Sequence, residues 1–122
     1  MGRAKTDEQD MLIRDVLSQV SGKWSLWVVC ELAAAKEPMR FTQVLNAVDG
    51  ITQKVLTQTL RYLERNGFVH RKIFPQVPPR VEYELSELGR DLFVLVDQMT
   101  IWAQKNVNAF AAARRRFDGI KK

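Results

Sequence analysis

Thr52-Gln53-Lys54-Val55-Leu56-Thr57-Gln58-Thr59-Leu60-Arg61-Tyr62-Leu63 spells out an amphipathic helix in a single line of sequence. Val55, Leu56, Leu60 and Leu63 fall on one stripe at helical spacing. The opposite face presents Gln53, Lys54, Thr57, Gln58, Arg61 and, one turn on, Arg65. Thr52 is suited to cap the first turn, because its hydroxyl can accept a bond from an amide left free there. The helix is expected to run to Asn66, with Gly67 in the left-handed position that ends it. No acid occurs before Glu64, so the first two turns are polar or basic throughout their outer face.

Outward from this helix, the neighbouring stretches are short and closely spaced. Met11, Leu12, Val16 and Val20 predict a first helix from about Glu8 to Gln19, which Ser21-Gly22 breaks. Trp24 to Ala35 is apolar around most of a helical circumference and is expected at the centre of the core. Pro38 stops it. Met39-Arg40-Phe41 is too short to classify, and Thr42 is the expected cap of a short helix carrying Val44, Leu45 and Val48 inward. Asp49-Gly50 marks a turn.

Downstream, Phe68 to Phe74 reads as a strand with Val69 and Ile73 on one side. Pro75-Gln76-Val77-Pro78-Pro79 cannot be regular sheet and makes a stiff tip. Val81, Tyr83 and Leu85 alternate with Glu82 and Glu84 as a returning strand with one wet face. Ser86, with Gly89 close behind, opens a last long helix expected to reach about Ala113, where Arg114, Arg115 and Arg116 suit its negative end. A helix pair with a short turn followed by a two-stranded hairpin predicts a mainly α chain with a small β-hairpin wing, a winged helix-turn-helix.

The chain has 122 residues, 46% hydrophobic and 27% charged, which fits one globular domain rather than a disordered segment. Its formal net charge is +5, and the excess is local. Residues 51–80 carry Lys54, Arg61, Arg65, Arg71, Lys72 and Arg80 against Glu64 alone. A polyanion is the obvious partner for such a stretch, though a basic solvated surface would show the same count. No apolar run approaches the length of a membrane span, and the opening MGRAKTDEQD lacks an apolar leader core, so a cytoplasmic protein is expected.

The outer face of the 52–66 helix consists of side chains that bond bases and phosphates. Glutamine can pair with adenine in two-point geometry, and arginine or lysine with guanine. In helix-turn-helix docking the first residues of the second helix enter the major groove, which here means Thr52 to Gln58. Gln53, Thr57 and Gln58 are therefore candidates for base reading. Lys54, Arg61, Lys72 and Arg80 are candidates for the backbone, with Arg80 favoured by its place at the hairpin tip.

These residues carry a resemblance. Gly22-Lys23-Trp24-Ser25-Leu26, Met39 to Leu45, Gly50 to Leu60, the PQVPPRVEY stretch from Pro75 to Tyr83, and Leu85-Ser86-Glu87-Leu88-Gly89 together resemble regulators of the HxlR type over roughly residues 10 to 105. The resemblance implies a homodimeric bacterial transcription regulator that contacts DNA through the recognition helix and wing, with Arg40 on a phosphate. Many members carry a cysteine followed by proline before the first helix, and some use it to sense oxidants. This chain reads Asp7-Glu8-Gln9-Asp10-Met11 there, which argues against thiol sensing by that residue.

In the last helix Leu88, Leu92, Leu95, Met99 and Trp102 recur at heptad-like spacing, widened by Val96, Ala103, Val107 and Phe110. With Met11 and Leu12 of the first helix they are the expected two-fold interface. Residues 22–85 would then form the DNA-binding core of a single domain, and residues 8–20 and 86–113 its dimerisation helices. Packing of the last helix on its own domain alone is the competing reading. A dimer predicts reading heads about 34–36 Å apart on an inverted repeat.

The remaining reactive side chains point to little chemistry. Cys30 lies among Val28, Val29 and Leu32 as an inert buried thiol, and His70 is the lone histidine, so neither catalysis nor a metal or cofactor is expected. There is no phosphate loop, nucleophile elbow or metal-ligand pair. Trp24, Trp27 and Trp102 suit core or interface and leave room for an unidentified small-molecule effector. A winged helix that binds protein, or DNA without sequence preference, is the rival function. It would tolerate neutralising Lys54, Arg61 and Arg80 if protein were the partner.

Overall fold

The computed structural model describes residues 7–120. The first six residues of the expected leaderless start lie outside that range. Helices α1 (Asp7–Val20) and α2 (Lys23–Ala34) are followed by a two-residue strand β1 (Met39–Arg40), α3 (Phe41–Ala47) and α4 (Gln53–Arg65). Strands β2 (Val69–Phe74) and β3 (Arg80–Leu85) lead into α5 (Glu87–Lys105) and α6 (Val107–Ile120). The fold is mainly helical with a small antiparallel sheet, as the pattern predicts.

The core forms where α2 crosses the helix-turn-helix. Val28 and Val29 of α2, Val44 of α3 and Leu56, Leu60 and Leu63 of α4 are all essentially inaccessible. Each such side chain is worth about 1.5–3 kcal/mol of transfer free energy, which makes this cluster the main anchor of α4. Phe68, Val69 and Leu85 close the core at the base of the hairpin. The hydroxyl of Tyr62 on α4 donates to the Val16 carbonyl at 3.4 Å, tying α1 to the same unit.

Helix ends follow the local chemistry at three places. The Thr52 hydroxyl accepts from the Val55 amide at 3.1 Å. Gly67 has φ +83°, the left-handed conformation needed to leave α4. Ser86 caps α5 by accepting from the Gly89 amide at 3.0 Å, and its hydroxyl donates to the Gly67 carbonyl. Gly89 itself lies against the chain: a Cβ there would sit 2.1 Å from the Phe68 carbonyl oxygen.

Two expectations are corrected, and one unclassified stretch is settled. Thr42 is not a cap: α3 starts at Phe41, behind Arg40, whose amide donates to the Gln43 side chain at 2.8 Å. Met39-Arg40 is a strand, because its extended backbone pairs Met39 with Tyr83 and Arg40 with Glu82, so the sheet has three strands in the order β1-β3-β2. Val69 and Ile73 do share one side of β2, as expected, and Ile73 is 55% exposed there, since β2 runs outward past the end of the core. The last helix does not run unbroken to Ala113. At Asn106 the side chain donates to the Trp102 carbonyl at 2.8 Å and the amide bonds Ala103, which tightens the turn and ends α5. Helix α6 begins at once and continues past Arg114–Arg116, which therefore sit inside it.

Candidate nucleic-acid interface

The burial of Leu56, Leu60 and Leu63 fixes the rotation of α4, and with it the opposite face. Thr52, Gln53, Lys54, Thr57, Gln58 and Arg61 are all exposed. None of them has an acidic partner among the described residues. Capping engages the Thr52 hydroxyl as an acceptor and leaves its proton for an outside oxygen. The amides of the first turn and the helix dipole add a positive end to this surface.

The sheet sorts the wing residues by register. Arg40, Glu82 and Lys72 stand opposite one another across the three strands, so they share one face. Arg80 joins them: its Nε lies 3.2 Å from Glu82 Oε2, at an angle that makes an ion pair without a hydrogen bond. Its guanidinium carbon stacks 4.3 Å from the centre of the Phe74 ring. Arg80 begins β3 directly after the 75–79 tip. It is half-buried and stacked, a geometry that aims the guanidinium instead of leaving it free. Two carboxylates, Glu82 and Glu84, share this face with three cations, Arg40, Lys72 and Arg80, so it stays basic. Arg40, Thr42 and Arg80 meet in a cleft of about 320 Å³ that also takes in Pro78 and Pro79 of the tip.

Arg71 and Tyr83 belong to the other face of the sheet, the one turned towards α4. Arg71 Nε donates to both carboxylate oxygens of Glu64, at 3.1 and 3.3 Å. Together with Phe41, Thr57, Leu60 and Arg61 they line a cleft of about 370 Å³ between α4 and the wing. Burial, ahead of the opposing pull of Arg71, raises the Tyr83 pKa above its usual value, so its phenol is neutral at neutral pH. This cleft was missed in the sequence, where Arg71 counted only as one more wing cation. Its one available signal was the opposite sign of Glu64 and Arg71, seven residues apart.

The expected interface residues divide as well. Met11, Leu12, Leu88, Leu95, Met99 and Trp102 are exposed, whereas Leu92 turns partly onto the core and Val96 is buried within its own chain. The Trp102 ring packs 5.6 Å from that of Phe110, across the α5–α6 break. Cys30 sits half-buried on α2. Burial first, then the carboxylates of Glu31 and Asp97, raise its thiol pKa. No helix among the described residues is long and apolar enough to cross a membrane.

A helix-turn-helix whose second helix is acid-free up to Glu64, beside a three-stranded basic wing, is thus in place, and residues 19–111 match the HxlR-like helix-turn-helix family. The chain belongs to that family. This HxlR-like chain is 40% identical over 96 residues to the HTH-type transcriptional regulator YtcD of Bacillus subtilis (strain 168), covering 79% of the chain and 75% of YtcD. Among solved structures, the transcriptional regulator ytfH from Salmonella typhimurium superposes with a TM-score of 0.74 at 32% identity, over 84% of this chain and 89% of that one. The redox regulator HypR in its reduced form superposes with a TM-score of 0.72 at 36% identity, over 82% and 97%.

Proposed function

We propose that this HxlR-like protein is a transcription regulator that binds double-stranded DNA sequence-specifically, as a homodimer on an inverted repeat, in the cytoplasm. The observation that carries the reading is the exposed, acid-free first half of α4 beside a basic wing. Gln53, Thr57 and Gln58 read base edges, with the hydroxyl of Thr52 at the mouth of the groove. Lys54 and Arg61 on α4, and Arg40, Lys72 and Arg80 on the outer face of the wing, hold the sugar-phosphate backbone. Residues 22–85 form the reading core, while α1 and α5, with Met11, Leu12, Leu88, Leu95, Met99 and Trp102, pair two copies. Leu92 contributes its outer edge to that contact. The relatives' names as transcriptional regulators support the same function.

The test is selection of bound duplexes from a random DNA pool by the purified protein at physiological salt. The expected product is an inverted repeat whose half-sites lie about one helical turn, 34–36 Å, apart. Tight binding with no enriched sequence would replace the proposal with an architectural role. Failure to retain any duplex would favour a protein-binding winged helix.

A further inference from the structure

The cleft between α4 and the wing carries chemistry that reading a duplex does not need. Part of its lining is apolar and largely aromatic, from Phe41, Leu60 and Tyr83. Part is charged, from Arg61, Arg71 and Glu64. A second cleft, also lined by these three, opens beside it and adds Arg65 and Tyr62. Arg61 and Arg71 line both clefts with Glu64, and Arg65 lines the second, so cations outnumber carboxylates among the lining residues. At about 370 Å³ the first cleft is in the range of small-molecule sites, roughly 300–1,000 Å³.

Two details say what it would hold. The Glu64 carboxylate is bound from one side by Arg71 Nε alone, while Arg61 makes no ion pair among the described residues. Arginine favours planar carboxylates because its parallel N–H donors match their two oxygens. Glu64 thus occupies the place of an anion without saturating the donors there. The apolar and aromatic side chains of the same lining would accept a flat ring, since aromatic rings pack against one another face to edge or offset. The neutral phenol of Tyr83 can donate a further hydrogen bond.

We propose that this cleft binds a small aromatic monocarboxylate, and that such an anion releases the protein from DNA. The carboxylate takes over the Arg71 guanidinium from Glu64 and engages that of Arg61, and the ring lies against Phe41, Leu60 and Tyr83. Release follows because Thr57 and Arg61 line the cleft and also belong to the DNA-facing surface of α4. A ligand that binds only the DNA-free form shifts the population towards it. The binding step stands on the cleft alone, and only the release step rests on the DNA reading above.

Benzoate, with benzamide and acetate as controls, is titrated into the full-length protein without DNA and followed by amide chemical shifts. Benzoate is expected to bind, with shifts at Thr57, Leu60 and Tyr83, and both controls to bind more weakly. Glu64→Gln removes the internal competitor and should tighten benzoate binding by about tenfold, whereas Arg71→Gln should weaken it by about tenfold. A merely structural Glu64–Arg71 pair would move both variants in the same direction, which overturns the site. Equal binding of benzamide, or no shifts in the cleft, overturns it too. In the second arm, benzoate should displace a duplex retained by the protein. Benzoate bound in the cleft with the duplex still held overturns the release step. A duplex never held at all sinks the DNA reading, and with it the release step, while the titration without DNA still decides the cleft.

Discussion

Helix α4 and the α5–α6 pair carry the same kind of apolar stripe and use it differently. On α4, Leu56, Leu60 and Leu63 are spent inside the chain, and the polar face is what remains outside. On α5 only Gly89 and Val96 are buried, while Leu95, Met99 and Trp102 stay 59%, 62% and 61% exposed. No residue of α6 is buried. Periodicity reports that a helix has an apolar side. Whether that side meets its own chain or another one depends on what the fold brings opposite it. Contiguous apolar surface of this kind is characteristic of association sites.

The largest expected effect tests this contrast directly. Leu60→Ala should destabilise the protein by about 2–5 kcal/mol in urea unfolding, because it opens a cavity in a packed core. Leu95→Ala combined with Met99→Ala should leave the intrinsic stability of one chain within about 0.5 kcal/mol, as surface changes usually do. The pair should instead weaken self-association in sedimentation equilibrium and flatten the dependence of unfolding on protein concentration. Wild-type protein that sediments as a monomer at all concentrations would break the comparison.

The outer face of α4 comes next. Gln53→Ala or Gln58→Ala should cost about 1–3 kcal/mol on the selected duplex and relax preference at one base pair per half-site. Equal losses on every sequence would move that glutamine from base reading to the backbone. A smaller effect compares the two helix starts. Thr52→Ala removes only a cap, at about 1 kcal/mol. Ser86→Ala should cost more, up to about 2 kcal/mol, because that buried hydroxyl also donates to the Gly67 carbonyl. Equal losses by thermal melts would remove the distinction between an exposed and a buried cap.

The smallest effect concerns Cys30. A raised pKa means the thiol keeps its proton to higher pH, so less thiolate is present at neutral pH than for a free cysteine. Iodoacetamide should therefore alkylate Cys30 more slowly than a free thiol. Asp97→Asn, which removes one of the two carboxylates, should speed the reaction modestly. Faster alkylation than a free thiol would return a redox role to this residue.

Much of the frame was legible along the chain because its causes are local. The stripe of α4, the caps at Thr52 and Ser86, and the glycine at Gly67 each depend on residues within about four positions of one another. The outer face of α4 was legible for the same reason, since burying one side of a helix fixes the other. The break at Asn106 was missed although its cause is local too. One asparagine side chain bonding back to the Trp102 carbonyl interrupts a pattern whose apolar periodicity continues.

By itself, then, the sequence determined the order of elements, the inner and outer faces of α4, and the concentration of positive charge between residues 51 and 80. Tertiary structure alone decided that Met39-Arg40 pairs with β3, that Arg80 stacks on Phe74, and that Arg71 reaches back to Glu64. It also decided that Phe41 and Tyr83, forty-two positions apart in the chain, face Arg61 across one cleft. The physical reason is register. A helix face is set by 3.6-residue periodicity within one segment, whereas a cross-strand neighbour is set by how two distant segments align, and a slip of one residue would turn every side chain of the wing to the other face.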